Sequence, residues 1–509
     1  MNSKEKLYDV VVVGGGINGV GIAADAAGRG LSVLLCEQDD LASATSSASS
    51  KLIHGGIRYL EHYHFGLVRE SLKERKILSQ TAPHLVHPLR FVVPFNKQVR
   101  PFWLVRLGLC LYDLLGVSLS FKRSKAIQFT ASNLGNPIKS AINSGFIYSD
   151  CITDDARLVI ENAKRVRQKG GTVLTNTQCI SAKRSENHWE VALFNLLNHQ
   201  QQHIKSKALV NATGPWCDSF IKDKLNLNSQ YQLRLVKGSH IVLPKLYDRE
   251  EAYVLQNKDG RIIFVIPYLR DFTLIGTTDI EFSGDPHLVK ISTQEIQYLC
   301  DCVNDYFKHA ISPKQVLSSW SGVRALVEDN TGKLSAINRE YKLELNLDAQ
   351  HQLPLINVFG GKLTTYRMLA EKAVNKLAPF FSHVSPPWTA TTPLPGGNIK
   401  EKDLAHFMGS LSHTYPWLPL SLMERYALNY GSQTYDILKN TDPLTKLGLH
   451  FGHELYESEV NYLIEHEWAK TAEDILWRRT KLGLVFSEEE TKNLTAWLAV
   501  RHNPTPIKN

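Results

Sequence analysis

The chain has 509 residues, 43% hydrophobic and 21% charged, a composition that provides a large buried core and excludes a disordered or fibrous protein; at roughly 100–200 residues per domain it holds two to four domains. A formal charge of +8 favours anionic partners without choosing between anionic lipid, a phosphorylated substrate and nucleic acid. Seven cysteines with no Cys-x-x-Cys pair speak against a disulfide framework or zinc site and for reduced thiols in a cytoplasmic compartment.

Met1 to Lys6 is short and polar, and the apolar run Val10 to Val13 leads directly into glycines. That is a strand entering a turn, not the apolar region of a signal peptide. The first segment, YDVVVVGGGINGVGIAADAAGRGLSVLLCE, reads as strand, turn, Ala-rich helix and second strand, with the two strands parallel under the right-handed crossover rule. HFGLVRESLKERKILSQ, from His64 to Gln80, follows as a helix that Thr81, Pro83 and Pro88 stop.

The longest near-apolar stretch, Phe102 to Phe121, carries Arg106 and Asp113, and no stretch reaches the roughly 18–20 unbroken apolar residues of a spanning helix. Within it Trp103, Leu107, Leu111 and Leu114 form one helical stripe. Such a stripe fits a helix lying in a membrane interface and equally an internal helix of a substrate domain. DDARLVIENAKRVRQKGG then reads as a helix closed by Gly170 and Gly171 before a TVLT strand, and ALVNATG as another buried strand.

Alternation in LRLVKGSHIVLP, RIIFVIPYL and FTLIGTTD predicts an antiparallel sheet in a separate layer. LPLINVFGGKLTTYRMLAEKAVNKL predicts strand, glycine turn and helix, the Pro- and Thr-rich SPPWTATTPLPGG a boundary, and the remainder a helical cap.

Gly14, Gly16 and Gly19 satisfy G-x-G-x-x-G between a strand and a helix, the context in which the motif binds a dinucleotide. Gly14 permits the tight turn, Gly16 lets backbone approach a pyrophosphate and Gly19 lets helix and strand pack closely. Glu37, at the end of the second strand, can bond both ribose hydroxyls of the adenosine half. NAD and FAD share this fingerprint; the distant second glycine turn in GGKLTTY suits a long cofactor contacted from both ends of the chain and favours FAD.

SSASSKLIHGGIRYLE, YSDCITDDARLV, LVNATGPW, FVIPYL with IGTTD, SGVRAL, FGGKLTTYR and DILWRRTKLGL together resemble the FAD-dependent glycerol-3-phosphate dehydrogenases, above all the bacterial aerobic respiratory type, within the D-amino-acid-oxidase-like flavoproteins. The resemblance runs from Tyr8 to about Leu484; Ala325 stands where the family has proline. It implies an α/β fold: a Rossmann-like FAD-binding domain of residues 1–70, 145–215 and 320–388, an α+β substrate domain of 71–144 and 216–319 on an antiparallel sheet, and a C-terminal α-helical domain of 389–509. It further implies non-covalent FAD, oxidation of glycerol 3-phosphate to dihydroxyacetone phosphate, and electrons passed to ubiquinone by a cytoplasmic protein attached peripherally to the inner face of the cell membrane. Neither a metal nor nucleic acid is expected, and the oligomeric state stays open, a homodimer included.

Oxidising a secondary alcohol needs a base for the hydroxyl proton and an anchor for the rest of the substrate. His54, flanked by Gly55 and Gly56, is the candidate base, since a histidine is part-neutral at working pH. Arg58, Arg324 and Arg339 lie in segments matching the family's substrate pocket and offer forked donors to a phosphate. Tyr59 adds a hydroxyl, and Lys362 and Thr364 reach the substrate or flavin from a helix start; Arg58 and Lys362 count with His54 as catalytic. The cofactor-binding set is Gly14, Gly16, Asn18, Gly19, Glu37, Ser50, Gly214, Gly361, Lys362 and Leu363. Competing readings are an oxidase of the same superfamily acting on glycerol 3-phosphate or an amino acid, and a non-catalytic or RNA-associated flavoprotein.

Overall fold

The computed structural model describes residues 6–95, 101–116, 121–328, 340–350, 352–439 and 443–502. The first strand, β1 (Leu7–Val13), ends in four consecutive buried valines, as expected of a strand covered on both faces. It pairs in parallel with β2 (Val33–Cys36) on one side and Gln201–Asn211 on the other. Leu355–Phe359 and Thr172–Leu174 extend the parallel part outward, and Lys342–Asn346, Trp189–Asn195 and Thr177–Arg184 complete eight strands with antiparallel partners.

Helix α1 (Ile17–Gly28) crosses between β1 and β2. Its Gly and Ala residues leave it almost no side-chain thickness, so it packs closely on the sheet, on the 366–377 helix and on the 155–168 helix. A Cβ at Gly21 would stand 2.9 Å from the Tyr366 ring.

The second sheet has ten strands, from Ile280–Glu281 at one edge through Leu233–Pro244, Phe272–Gly276, Ile262–Tyr268, Ala252–Gln256 and Val86–Pro94 to Ser144–Thr153 and Leu52–Ile53, with Ser318–Val327 and Lys125–Gln128 attached. It is antiparallel except where Ala252–Gln256 runs parallel to Val86–Pro94. Strands Leu52–Ile53, Ser144–Thr153 and Ser318–Val327, which the sequence assigns to the cofactor domain, hydrogen-bond in this second sheet. Hydrophobic pattern marks a strand as buried but not which sheet receives it.

Helix α2 (Phe65–Thr81) and helix α3 (Phe102–Leu115) flank the second sheet. Along α3 only Leu109 and Tyr112 are buried, while Trp103, Leu107 and Leu114 are 67%, 58% and 68% exposed. The apolar stripe seen in the sequence therefore faces outward, with Leu111 half-buried at its border. Arg106 and Asp113 bond the residue at 124 and tie the helix down: Arg106 donates to the Ser124 carbonyl, and Ser124 donates from its amide and hydroxyl to Asp113.

Helix α4 (Asp155–Gln168), capped by the Asp154 side chain on the Arg157 amide (2.9 Å), is buried on nearly every face between the first sheet's helices and the C-terminal domain. That domain, from about residue 399, has its own core of Leu411, Leu422, Tyr426, Leu455, Leu463, Ile475 and Leu494. Among the described residues no helix is long and apolar enough to cross a membrane.

Candidate active site

A cavity of about 890 Å³ runs from the carboxyl ends of the parallel strands to the floor of the second sheet, where open α/β sheets place their ligands. Gly14, Gly16, Asn18, Glu37, Ser50, Gly214, Gly361 and Leu363 line it, together with His54, Tyr59, Arg324, Lys362 and Thr364. Residues separated by more than 300 positions thus share one wall. Arg339 and the Arg58 side chain fall outside the described residues; the Arg58 backbone lies in the tight helical turn Ile57–His62.

The glycine turn is as tight as its motif requires. Gly14 has φ +112, and a Cβ there would lie 2.5 Å from the Ala212 carbonyl oxygen. Gly19 does not line the cavity; a Cβ on it would run into the Gly14 carbonyl, so its part is to let α1 sit down on the turn. Ser46 accepts from the Ile17 amide (3.0 Å) at the start of α1. Beside it Asn18 Nδ2 donates to the Gly360 carbonyl (3.0 Å), while Asn18 Oδ1 is buried with no partner among the described residues. A second positive-φ pair, Gly360 (+75) and Gly361 (+115), closes against Asn18. Two glycine turns, joined by one asparagine, form a cradle that side chains would fill.

Glu37 accepts from the Gly15 amide (2.6 Å) and the Asp39 amide (2.9 Å). Burial pushes its carboxyl up to about 7 against the pull of those two bonds, so donors such as ribose hydroxyls would stabilise the carboxylate. These residues fit FAD: Glu37 would hold the ribose, the Gly14–Gly19 turn and α1 N-terminus the pyrophosphate, and the Gly360–Leu363 turn would serve the far end.

At that far end the backbone of His54 is fixed by Thr364, whose hydroxyl accepts from the His54 amide (3.2 Å), and the imidazole meets Phe264 edge-on at 6.3 Å. The following amide, Gly55, donates to the Tyr112 hydroxyl (2.9 Å). Tyr112 in turn donates to Asp150 (2.7 and 2.8 Å), which Arg75 holds at 2.7 Å. All three are buried, so a polar trio under the turn sets where His54 sits. Lys362 Nζ lies 3.8 Å from the centre of the Tyr59 ring, a cation–π contact. Arg324 pairs with Asp279 and bonds the Thr277 hydroxyl (3.0 Å) and Thr278 carbonyl (3.2 Å). Arg324 and Lys362, on separate elements, therefore bring cationic side chains to the cavity that His54 lines.

Several contributors escape a sequence reading. His240, buried in the second sheet, faces the Ser50 hydroxyl (2.8 Å) and stacks on Trp320. Burial, then Arg324 and Lys51, hold it neutral far below the ordinary histidine range. Nothing in LRLVKGSHIVLP separates it from a core histidine. Asp150 sits in YSDCITDD and Tyr112 on the buried side of α3, yet only the packing of α3 against the Ile57–His62 turn shows that they meet.

With two glycine turns, a histidine and cationic side chains on one cavity, the fold and site define an FAD-dependent oxidoreductase. Residues 9–367 match the family model described as FAD dependent oxidoreductase, and residues 387–500 that described as C-terminal domain of alpha-glycerophosphate oxidase. The glycerol-3-phosphate dehydrogenase of Pseudomonas aeruginosa is 51% identical over 98% of this chain and 97% of its own. The aerobic glycerol-3-phosphate dehydrogenase of Escherichia coli is 48% identical (96% and 97% covered), and the D-erythritol 1-phosphate dehydrogenase of Brucella abortus 47% (96% and 97%). The crystal structure of the glycerol-3-phosphate dehydrogenase from Bacillus halodurans complexed with FAD superposes with a TM-score of 0.76 at 26% identity, over 100% of this chain and 97% of that one. The chain belongs to the FAD-dependent glycerol-3-phosphate dehydrogenase family.

Proposed function

We propose that the protein oxidises sn-glycerol 3-phosphate to dihydroxyacetone phosphate and passes the electrons to a membrane quinone at the inner face of the cell membrane. The observation that carries the substrate reading is that Arg324 and Lys362 line the same cavity as His54 and Tyr59. A phosphate needs several forked or ammonium donors; an amino-acid carboxylate needs fewer.

Bound FAD supplies the hydride acceptor. The chain's own part is to hold the alcohol and take its proton. In this reading His54 accepts the hydroxyl proton as carbon 2 loses hydride, with the Thr364 and Tyr112 bonds to its turn fixing its distance to the substrate. Arg324 and Lys362 hold the phosphate with Arg58 and Arg339, and Tyr59 keeps the Lys362 ammonium in place from below. Lys362 would also offer positive charge to bound FAD. Ser50, braced by His240, lines the cofactor wall.

Support for a peripheral membrane site comes from α3. Trp103, Leu104, Leu107 and Leu114 are exposed along it, and Tyr63 stands 81% exposed on the adjoining turn. Clustered exposed aromatic and aliphatic side chains at one site suit an interface helix.

The test is anaerobic addition of sn-glycerol 3-phosphate or D-erythritol 1-phosphate to the holoenzyme, read as bleaching of the flavin, then reoxidation by a soluble quinone or by oxygen. Bleaching by the three-carbon phosphate and fast turnover with quinone support the proposal. Bleaching by erythritol phosphate alone would reassign the substrate; peroxide formation outpacing quinone reduction would make the protein an oxidase.

A further inference from the structure

The motif DILWRRTKLGL is far from the cavity in sequence and touches no residue assigned a chemical role above. Ile475 and Leu476 anchor it in the C-terminal core, and its three cations reach beyond that core, although Arg478 also holds Asp474 and Glu473 beside it. Arg478 (2.5 Å) and Arg479 (2.8 Å) both bond the buried Asp40 carboxylate, and Arg479 also bonds the Glu467 carbonyl (2.5 Å). Lys481 pairs with Asp154 at 2.7 Å. The neighbouring Asp155 bonds the Ser49 amide (3.1 Å), the Ser49 hydroxyl (2.7 Å) and Lys51 (2.7 Å).

These contacts bracket one segment. Asp40 lies three residues past Glu37, and Ser49 and Lys51 lie at the other end; between them Ala42 to Ser50 is composed only of Ala, Ser and Thr. A run without large side chains has no packing of its own to define its path and loses conformational freedom when ordered. Its shape must be imposed from outside. Yet it is this run that presents Ser46 to the start of α1 and lines the cofactor cavity with Ala44, Thr45 and Ser50.

We propose that the C-terminal domain acts through Arg478, Arg479 and Lys481 as a clasp that holds the 40–51 segment in its FAD-binding shape, so that this domain governs how firmly the cofactor is retained. The inference rests on FAD as the occupant of the cavity. The three cations are positioning residues: they act on Asp40 at one end of the segment and, through Asp154 and its neighbour Asp155, on Ser49 and Lys51 at the other. Adjacent acids at the head of α4 divide the work, Asp154 joining the C-terminal domain and Asp155 joining the segment. The two aspartates of YSDCITDD and the cations of DILWRRTKLGL are thereby parts of one device.

The experiment compares Asp40→Asn, Arg478→Gln, Lys481→Met and Lys481→Arg with wild type. Flavin fluorescence reports FAD release on dilution of the holoenzyme and FAD binding to the stripped protein; circular dichroism and thermal melting report the fold. Leu463→Ala, deep in the C-terminal core, is the control for loss of stability alone. Asp40→Asn and Lys481→Met should release FAD at least about tenfold faster well below their melting midpoints, with Arg478→Gln, at the clasp's rim, intermediate and Lys481→Arg close to wild type. Leu463→Ala should melt earlier with wild-type release. Wild-type release in the clasp variants, or equal acceleration in Leu463→Ala, overturns the proposal. Should Asp40→Asn not fold, Arg478→Gln and Lys481→Met decide it. A wild-type chain that binds no FAD would instead refute the cofactor reading itself.

Discussion

Replacing Tyr112 with Phe removes one hydroxyl from beneath the His54 turn. That hydroxyl donates to Asp150 and accepts from the Gly55 amide at 2.9 Å. Burial raises the phenol far above its ordinary range, so it stays protonated and its effect should not vary with working pH. A hydrogen bond to a buried carboxylate contributes about 1.5–3 kcal/mol and a neutral amide bond about 1 kcal/mol. Asp150 keeps Arg75, which spares it the roughly 3–5 kcal/mol of an abandoned buried charge. The Gly55 amide is left only Asp150, at 3.3 Å, and the turn relaxes toward it. A shift of about 1 Å in a reacting group can cost about a hundredfold in rate. We expect flavin reduction by sn-glycerol 3-phosphate, followed anaerobically by stopped flow, to slow about ten- to a hundredfold with little change in apparent KM, because the cations proposed to hold the phosphate are untouched. A lower melting point with wild-type flavin reduction would refute the reasoning and leave the trio a purely structural feature.

Arg324→Ala should raise apparent KM about ten- to a hundredfold, the equivalent of a lost charge-assisted contact of roughly 1.5–3 kcal/mol, with FAD still bound; unchanged kinetics would remove it from the site. His54→Ala should slow flavin reduction in single turnover by about 10²–10⁴-fold, and wild-type reduction would rule it out as the base. His84 is fully buried, faces Arg157, Lys164 and His87, and has no hydrogen-bond partner among the described residues. Burial first, then those cations, hold it well below its ordinary value. The unfolded chain gains a proton there that the folded chain refuses, so stability is full above about pH 6.5 and falls below it by up to about 1.4 kcal/mol per pH unit. His84→Asn should flatten that acid slope in melting experiments, leaving the share due to His87, half-buried and also lowered; an unaltered slope would show His84 is protonated in the fold. Trp103→Glu with Leu107→Lys should abolish flotation with anionic liposomes at low salt while leaving anaerobic flavin bleaching intact, and undiminished flotation would exclude α3 as the lipid contact.

What the sequence determines is local and periodic. Gly14, Gly16, Gly19 and Glu37 are legible because a strand–turn–helix needs those residue types at fixed offsets, and β1, α1 and β2 follow. The second glycine turn at Gly360 and Gly361 is legible for the same reason, as are the strands Leu233–Pro244, Ile262–Tyr268 and Phe272–Gly276 from their alternation.

Tertiary structure alone decides which distant segments share a surface. Ser144–Thr153 and Ser318–Val327 read as strands in either layer, and only hydrogen-bond register puts them in the second sheet. The α3 stripe fits a buried face as well as an exposed one; chain packing leaves it outside. Tyr112 meets Gly55, Ser50 meets His240 and Arg479 meets Asp40 across separations of 57, 190 and 439 residues. No periodicity carries such pairings, because they are fixed by where whole sheets and helices come to rest rather than by the order of residues along any one of them.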